Sequence, residues 1–332
     1  MSDAVRLLNG FRGYQLVVAA CRLKLPDLVA AGVCDSRALA AKTGTHEPSL
    51  RRALRGLAAW GFFAEDSQGC FTTTALSDLF RSDQPGLRTI TLMLSEEGYR
   101  VWEELLYTLE TGQPAFEHMY GKKRWEQLAE EPEHAALFNA AMVETSRRVV
   151  SAFVKAYDFG RVRSVVDVGG GNGALLAGVL AAHPGMEGVL LDLAAGLAGA
   201  AEAMESAGLA ARVRIVEGSF FESIPSGADL YLLKSIIHDW DDDHATSILK
   251  TCRAAMGRDA RVVLLERPMP EHVAADGASL ATLMGDLHMM VLLGGRERTT
   301  AEYASLLESA GLRLTHPITM DSDFYAIEAI PR

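Results

Sequence analysis

The side chains with chemistry to offer gather in the second half of the chain. The run Lys234-Ser235-Ile236-Ile237-His238-Asp239-Trp240 puts a histidine after an apolar stretch, Glu266 ends another, and Glu297 lies within Gly294-Gly295-Arg296-Glu297-Arg298-Thr299. An imidazole, with an ordinary pKa of about 6.5, moves protons near neutrality, and a neighbouring carboxylate orients the ring and stabilises its charged form. His238, Glu266 and Glu297 are therefore the candidate catalytic residues. Asp239, Asp241, Asp242, Asp243 and His244 add metal-ligand character to the same stretch. Acids that open a helix complement its dipole without an ion, so the expected mechanism is metal-free.

A second centre lies upstream, in Val165-Val166-Asp167-Val168-Gly169-Gly170-Gly171-Asn172-Gly173. This is an apolar strand running into a glycine turn, followed by a helix from Ala174 to His183 whose amides point at a ligand. The spacing Gly169-x-Gly171-x-x-Ala174 also satisfies a dinucleotide fingerprint. Charge separates the candidates, because Asp167 would stand close to a pyrophosphate but attracts the ammonium and sulfonium of S-adenosylmethionine (SAM). Asp192, 23 positions after Gly169 and at the end of the next apolar run, suits ribose hydroxyls.

These residues need a scaffold that delivers them to one place. From Val162 onward strands alternate with helices, the pattern of a doubly wound parallel sheet. The expected strands are 164–168, 188–191, 213–216, 230–233 and 262–265, with a closing antiparallel pair near 312–318 and 324–330 around Asp321-Ser322-Asp323. That closing pair is characteristic of the methyltransferase variant of the Rossmann architecture. Ligands of such sheets bind beyond the strands' carboxyl ends. Thr299 and Glu302 form a capping box that fixes where the glycine loop before the last helix ends.

The first half reads as helical, with Leu7, Leu8, Phe11, Leu16, Val17, Ala20, Leu23 and Leu28 at amphipathic spacing. Helices 36–43 and 47–60 and a hairpin around Asp66-Ser67-Gln68-Gly69 give a winged-helix pattern. Arg51, Arg52 and Arg55 on the second helix raise DNA reading. The net charge of −11 in 332 residues and a pI near 5.3 argue instead for a solvated face, since nucleic-acid partners demand a basic surface. Between 97 and 155 the aromatics and methionines Tyr99, Trp102, Tyr107, Phe116, Met119, Tyr120, Trp125, Phe138, Met142 and Phe153 are expected mostly in the core, some lining a pocket. Trp102, Phe116, Met119, Phe138, Asn139, Met142, Met284, Met289 and Met290 suggest a flat aromatic or polycyclic hydroxylated substrate, with His288 as a second polar handle. The four cysteines, Cys21, Cys34, Cys70 and Cys252, are dispersed and expected as reduced thiols. No signal-peptide pattern or membrane-length apolar run is present, and a soluble cytoplasmic protein is the expectation.

The four ordered motifs around Val166–Gly173, Gly218-Ser219-Phe220-Phe221, Lys234–Trp240 and Gly294–Thr299 make the chain resemble, over essentially its whole length, the plant and bacterial SAM-dependent O-methyltransferases of the caffeate/acetylserotonin type. The resemblance implies a cofactor set of Asp167, Gly169, Gly171, Asp192, Leu193, Ser219, Phe220, Lys234 and Ser235, with Trp240 closing the adenine side. It implies His238 as the general base flanked by Glu266 and Glu297, while Phe138, Asn139, Met142 and Met289, from the pocket reading above, are the expected substrate contacts. The winged-helix part would serve homodimerisation. The implied organisation is a dimerisation domain at 1–100, a helical connector contributing to the substrate pocket at 101–155 and a SAM-binding domain at 156–332. Ser219 departs from the family, which often has aspartate there to receive the adenine amino group. The implied reaction is methyl transfer to a hydroxyl. An enzyme of the same fold that uses SAM for hydroxylation, decarboxylation or cyclisation is the alternative, as is a nitrogen or carbon acceptor.

Overall fold

In the computed structural model, which describes residues 2–332, contacts divide the chain into one unit ending at Glu97 and another from Gly98 to Arg332. In the first unit, Asp35 caps the helix Ser36–Thr43 by accepting from the Ala38 amide at 3.1 Å, and Gly44 ends it. The next helix, Glu47–Ala59, buries Leu50, Leu54 and Leu57 at helical spacing and leaves Arg51, Arg52 and Arg55 exposed. Strands β1 (Phe63–Glu65) and β2 (Phe71–Thr73) pair antiparallel with Phe63 opposite Thr73. Glu65 on β1 takes up Arg55 at 3.1 Å, which partly neutralises the helix's basic face.

Two expectations for this unit are corrected. Cys34 and Cys70 form a disulfide, with Cα atoms 4.9 Å apart, whereas Cys21 and Cys252 are free and buried. The amide of Phe71 donates to the Cys34 carbonyl at 2.9 Å, so the fold brings together two residues whose separation of 36 carries no motif. We expect two titratable thiols, not four, in the unfolded, unreduced protein, and a loss of about 2–4 kcal/mol in urea denaturation for Cys70→Ser. Four titratable thiols would remove the bridge. The second correction concerns the helix Ser2–Arg22. There Leu7, Leu8 and Phe11 are 84%, 73% and 53% exposed, so within one chain they build no core.

The second unit carries the sheet formed by β3 (Ser164–Val168), β4 (Glu187–Asp192), β5 (Val213–Glu217), β6 (Leu230–Lys234), β7 (Arg261–Glu266), β8 (Leu312–Thr319) and β9 (Tyr325–Pro331). Its order is β5-β4-β3-β6-β7-β9-β8, parallel except for β9, which runs antiparallel to both neighbours. Both faces are covered, as alternation along β6 shows. Leu230 and Leu232 pack with Leu175, Leu176, Val179 and Phe153, while Tyr231 and Leu233 pack with Ile248, Leu249, Tyr303 and Leu307 on the opposite face. Each such buried leucine contributes about 1.5–3 kcal/mol. Strand order reverses between β3 and β6, the switch point at which ligands of open α/β sheets bind.

Of the aromatics and methionines expected mostly in the core between 99 and 153, Phe116 and Phe153 are fully buried, Met119 is exposed and the rest are half-buried. Several of them instead wall a cavity. Among the described residues, no helix is long and apolar enough to cross a membrane.

Candidate active site

A cavity of about 530 Å³ opens at the carboxyl ends of β3 to β6. Its floor is the glycine turn after β3. Gly169 has φ +67°, a conformation that favours glycine, and a Cβ there would lie 2.6 Å from Ile236 Cδ1, so that side chain would have to give way as well. Asp192, ending β4, accepts from the amides of Gly171 and Leu193, each at 2.7 Å, which fixes its carboxylate against the turn. Burial pushes its pKa up, and the two amides oppose this. Asp167 is 1% exposed and accepts from the Leu176 amide at 3.3 Å. Burial pushes it up to about 7, with Lys234 opposing. All nine residues of the expected cofactor set line this cavity, together with Phe138, Asn139 and Met142. Trp240 lines it too and packs edge-on against Phe221, with centroids 4.8 Å apart.

His238 sits in the short turn Ile237–Asp239 beyond β6. Ser235 adopts φ +54°, sparsely populated for a residue with a side chain, and turns the chain sharply after Lys234. The amides of Ile236 and Ile237 then donate to Glu266 Oε1 at 3.1 and 2.9 Å, so the last residue of β7 pins the loop. Arg298, fully buried, clamps it from the other side by donating to the carbonyls of Ile237 (3.0 Å) and Trp240 (2.7 Å) and to Asp242. Gly295 runs so close that a Cβ would stand 2.1 Å from the His238 carbonyl oxygen.

The imidazole is held at Nδ1, 2.7 Å from Glu297 Oε1 and 3.8 Å from Glu266 Oε2. A carboxylate at hydrogen-bond distance assigns a proton to Nδ1, so that Nε2, on the far side of the ring with Asp239 Oδ1 3.4 Å away, is the nitrogen that carries a lone pair when the ring is neutral. Burial works against the imidazolium, but Glu266, Asp239 and Glu297 outweigh it and hold His238 up at about 10. Burial likewise pushes Asp239 up to about 6 and Glu266 up to about 7.

Four of these shifts share a sign, while burial pushes Lys234 and His288 the other way and works against the trend they set. His238, Asp167, Asp239 and Glu266 all hold their protons more tightly folded than unfolded. The carboxyls therefore cost stability as pH rises from their ordinary values near 4 through about 7, and the imidazolium's contribution, complete below about 6.5, is lost as pH rises through about 10. The ligand-free protein is expected to show a higher Tm at pH 6 than at pH 9 in scanning calorimetry, and the reverse order would contradict these environments.

Other expected contributors fall elsewhere. Met289, a predicted substrate contact, is half-buried on the helix Gly277–Leu292 and does not border the cavity. Phe116 packs in a separate cluster with Val101, Val291 and Leu292. Trp102 donates to His288 Nδ1 at 3.1 Å, and burial, with Arg124 nearby, pushes His288 down to about 4. Asn139 lines the cavity but donates its amide to the Ala195 carbonyl at 3.1 Å. His238, Glu266 and Glu297 are not among the residues that line this cavity, and the lining residues nearest to His238 in sequence are Ile236 and Asp239. Asp239, which in sequence reads as a helix-opening acid, and Glu217, which ends β5 and carries no motif, both line the cavity. Arg298 stands between two motif residues, and its role as a buried clamp emerges only in the fold.

Sheet order, glycine turn and acidic strand ends together define a class I methyltransferase. The O-methyltransferase domain family matches residues 102–313, and the O-methyltransferase dimerisation domain family matches residues 5–83. The chain belongs to this SAM-dependent O-methyltransferase family. It is 38% identical to O-demethylpuromycin-O-methyltransferase of Streptomyces alboniger over 98% of this chain and 88% of that one. It is 32% identical to phenazine-1-carboxylate N-methyltransferase of Pseudomonas aeruginosa over 98% of this chain and 96% of that one. The crystal structure of the neocarzinostatin-biosynthesis O-methyltransferase NcsB1, in complex with SAM and 2-hydroxy-5-methyl naphthoic acid, matches with a TM-score of 0.85 at 33% identity, covering 96% of each chain.

Proposed function

We propose that this enzyme methylates a hydroxyl of an aromatic or polycyclic small molecule, with His238 as the general base. The observation that carries the reading is the 2.7 Å contact between His238 Nδ1 and Glu297, which leaves Nε2 directed away from its buried partners and beside cavity-lining Asp239. The donor set fits SAM. The carboxylates of Asp167, Asp192 and Glu217 suit a cationic ligand with ribose hydroxyls, and a cradle whose floor favours glycine at Gly169 admits its backbone-close end. When bound, SAM supplies an electrophilic methyl on sulfur.

The chain's own residues have three tasks. Asp167, Asp192 and the glycine turn hold the donor, and Phe138 and Met142 offer an apolar wall to a flat acceptor. His238 takes the hydroxyl proton at Nε2, so that oxygen attacks as it becomes anionic, and Glu297 stabilises the resulting imidazolium. Homodimerisation through the first unit is part of the proposal, supported by Leu7, Leu8 and Phe11 exposed on its first helix within the matched dimerisation domain.

The test is incubation with SAM and a panel of hydroxylated and aminated naphthoates, phenazines and benzoates, followed by mass spectrometry. Equimolar S-adenosylhomocysteine and an O-methylated product support the reading. S-adenosylhomocysteine with an N-methylated product moves the acceptor atom to nitrogen, and turnover of an acceptor without S-adenosylhomocysteine removes methyl transfer. In the same assay Asp192→Ala is expected to weaken SAM binding by about 10-fold or more, because a charged hydrogen-bond acceptor is lost. Unchanged affinity by calorimetric titration would take Asp192 out of the cofactor set.

A further inference from the structure

The carboxylates behind His238 have more acceptor capacity than the loop uses. Glu266 is 0% exposed and Glu297 5% exposed, yet the Oε2 atom of each has no hydrogen-bond partner among the described residues. A buried carboxylate oxygen normally acquires one, because leaving it unmet costs free energy. Here both glutamates flank the same ring nitrogen, with Nδ1 2.7 Å from one and 3.8 Å from the other. One ligand atom from each of His238, Glu266 and Glu297 falls within 4.8 Å of the others.

The two distances to Nδ1 are close to the ligand separation a small cation imposes. Imidazole nitrogen and carboxylate oxygen at about 2.0–2.1 Å from tetrahedral zinc lie about 3.3 Å from one another, a value bracketed by the two distances to Nδ1. One neutral imidazole with two carboxylates also balances a divalent charge. The same three residues would not suit calcium, which takes six to eight oxygens.

We propose that His238 Nδ1, Glu266 and Glu297 form an inhibitory binding site for a divalent first-row transition-metal ion, Zn²⁺ in particular, which competes with the proton held between His238 and Glu297. The ion replaces that proton, and the neutral ring then carries its hydrogen on Nε2. No lone pair remains there to accept a proton from a bound hydroxyl, so the occupied enzyme is idle while the donor cavity is untouched. Asp239, 3.4 Å from Nε2 and part of the cavity wall, places the cluster one side chain from the open volume. The binding claim rests on the geometry alone, and only the expected inhibition depends on His238 being the base, so the two can fail separately.

The full chain, stripped with a chelator, is titrated with Zn²⁺ by calorimetry and with Co²⁺ by absorption spectroscopy. Saturable binding of one ion per chain is expected, with the ligand-field bands of low-coordinate cobalt. His238→Ala and Glu297→Gln should each weaken it by at least about 10-fold, and His244→Ala, which breaks the exposed His244–Asp241 pair, should leave it unchanged. Retained S-adenosylhomocysteine binding identifies the variants that are folded. Zinc should stop turnover reversibly without weakening SAM binding. No saturable binding by the unsubstituted chain, or binding that survives in the folded His238 and Glu297 variants, would overturn the site. Binding as expected with no effect on turnover would leave the site standing and remove His238 as base.

Discussion

Replacing His238 with alanine is expected to lower kcat by at least about 10²-fold while leaving SAM and S-adenosylhomocysteine affinities within about twofold. The separation follows from where the side chains stand. Asp167, Asp192 and the glycine turn, which are proposed to hold the cofactor, line the cavity, whereas His238 is not among its lining residues and is held by Glu297 at 2.7 Å. The loop that carries it should survive the substitution, because it is pinned through the main chain, by Glu266 on the amides of Ile236 and Ile237 and by Arg298 on the carbonyls of Ile237 and Trp240. Single-turnover kinetics with saturating SAM would measure the step directly. A variant with undiminished turnover removes His238 from the chemistry, and one that loses SAM binding in parallel assigns it a structural role.

The second large effect is on pH dependence. Carboxylates around His238 hold it up at about 10, so the acid limb of kcat/KM should lie on the alkaline side of an ordinary histidine, with the rate still climbing above pH 8. Glu297→Gln keeps the shape and a hydrogen-bond acceptor for the Nδ1 proton but removes the charge. It is expected to move the limb toward acid by about one to three pH units. The variant would then lose maximal rate, because the imidazolium is less stabilised, and yet suffer least near pH 6. A limb that stays in place would mean that Glu297 does not set the ionisation of the base. Equal slowing at every pH would mean that it only orients the ring.

How much of this was legible in the sequence depended on whether the information was local. The glycine turn and the capping box at Thr299 are patterns within a few residues and form where expected, the box closed in both directions, and Asp192 ends its strand as the apolar run before it predicts. Strand positions came from apolar runs, so four of the parallel strands were drawn short of their polar ends. Asp192, Glu217, Lys234 and Glu266 each remain in their strands, because the backbone ladder is indifferent to side-chain polarity. Helical periodicity identifies a face but not its partner. Phe116 therefore joined a satellite core, Met289 stayed off the cavity, and Leu7, Leu8 and Phe11 turned outward. The Cys34–Cys70 bridge, the Arg298 clamp and the place of Asp239 beside Nε2 are contacts that only the folded chain creates.

The hydrogen bond from Asn139 to the Ala195 carbonyl joins two walls with different tenants. The helix Pro132–Ala156 presents Phe138 and Met142, and the segment after β4 lies next to Asp192. If the proposed donor and acceptor take these two walls and one of them orders this bond, thermodynamic reciprocity requires each to raise the affinity of the other by the same factor. Measuring S-adenosylhomocysteine affinity with and without the methylated product would show whether the two ligands are coupled in this way.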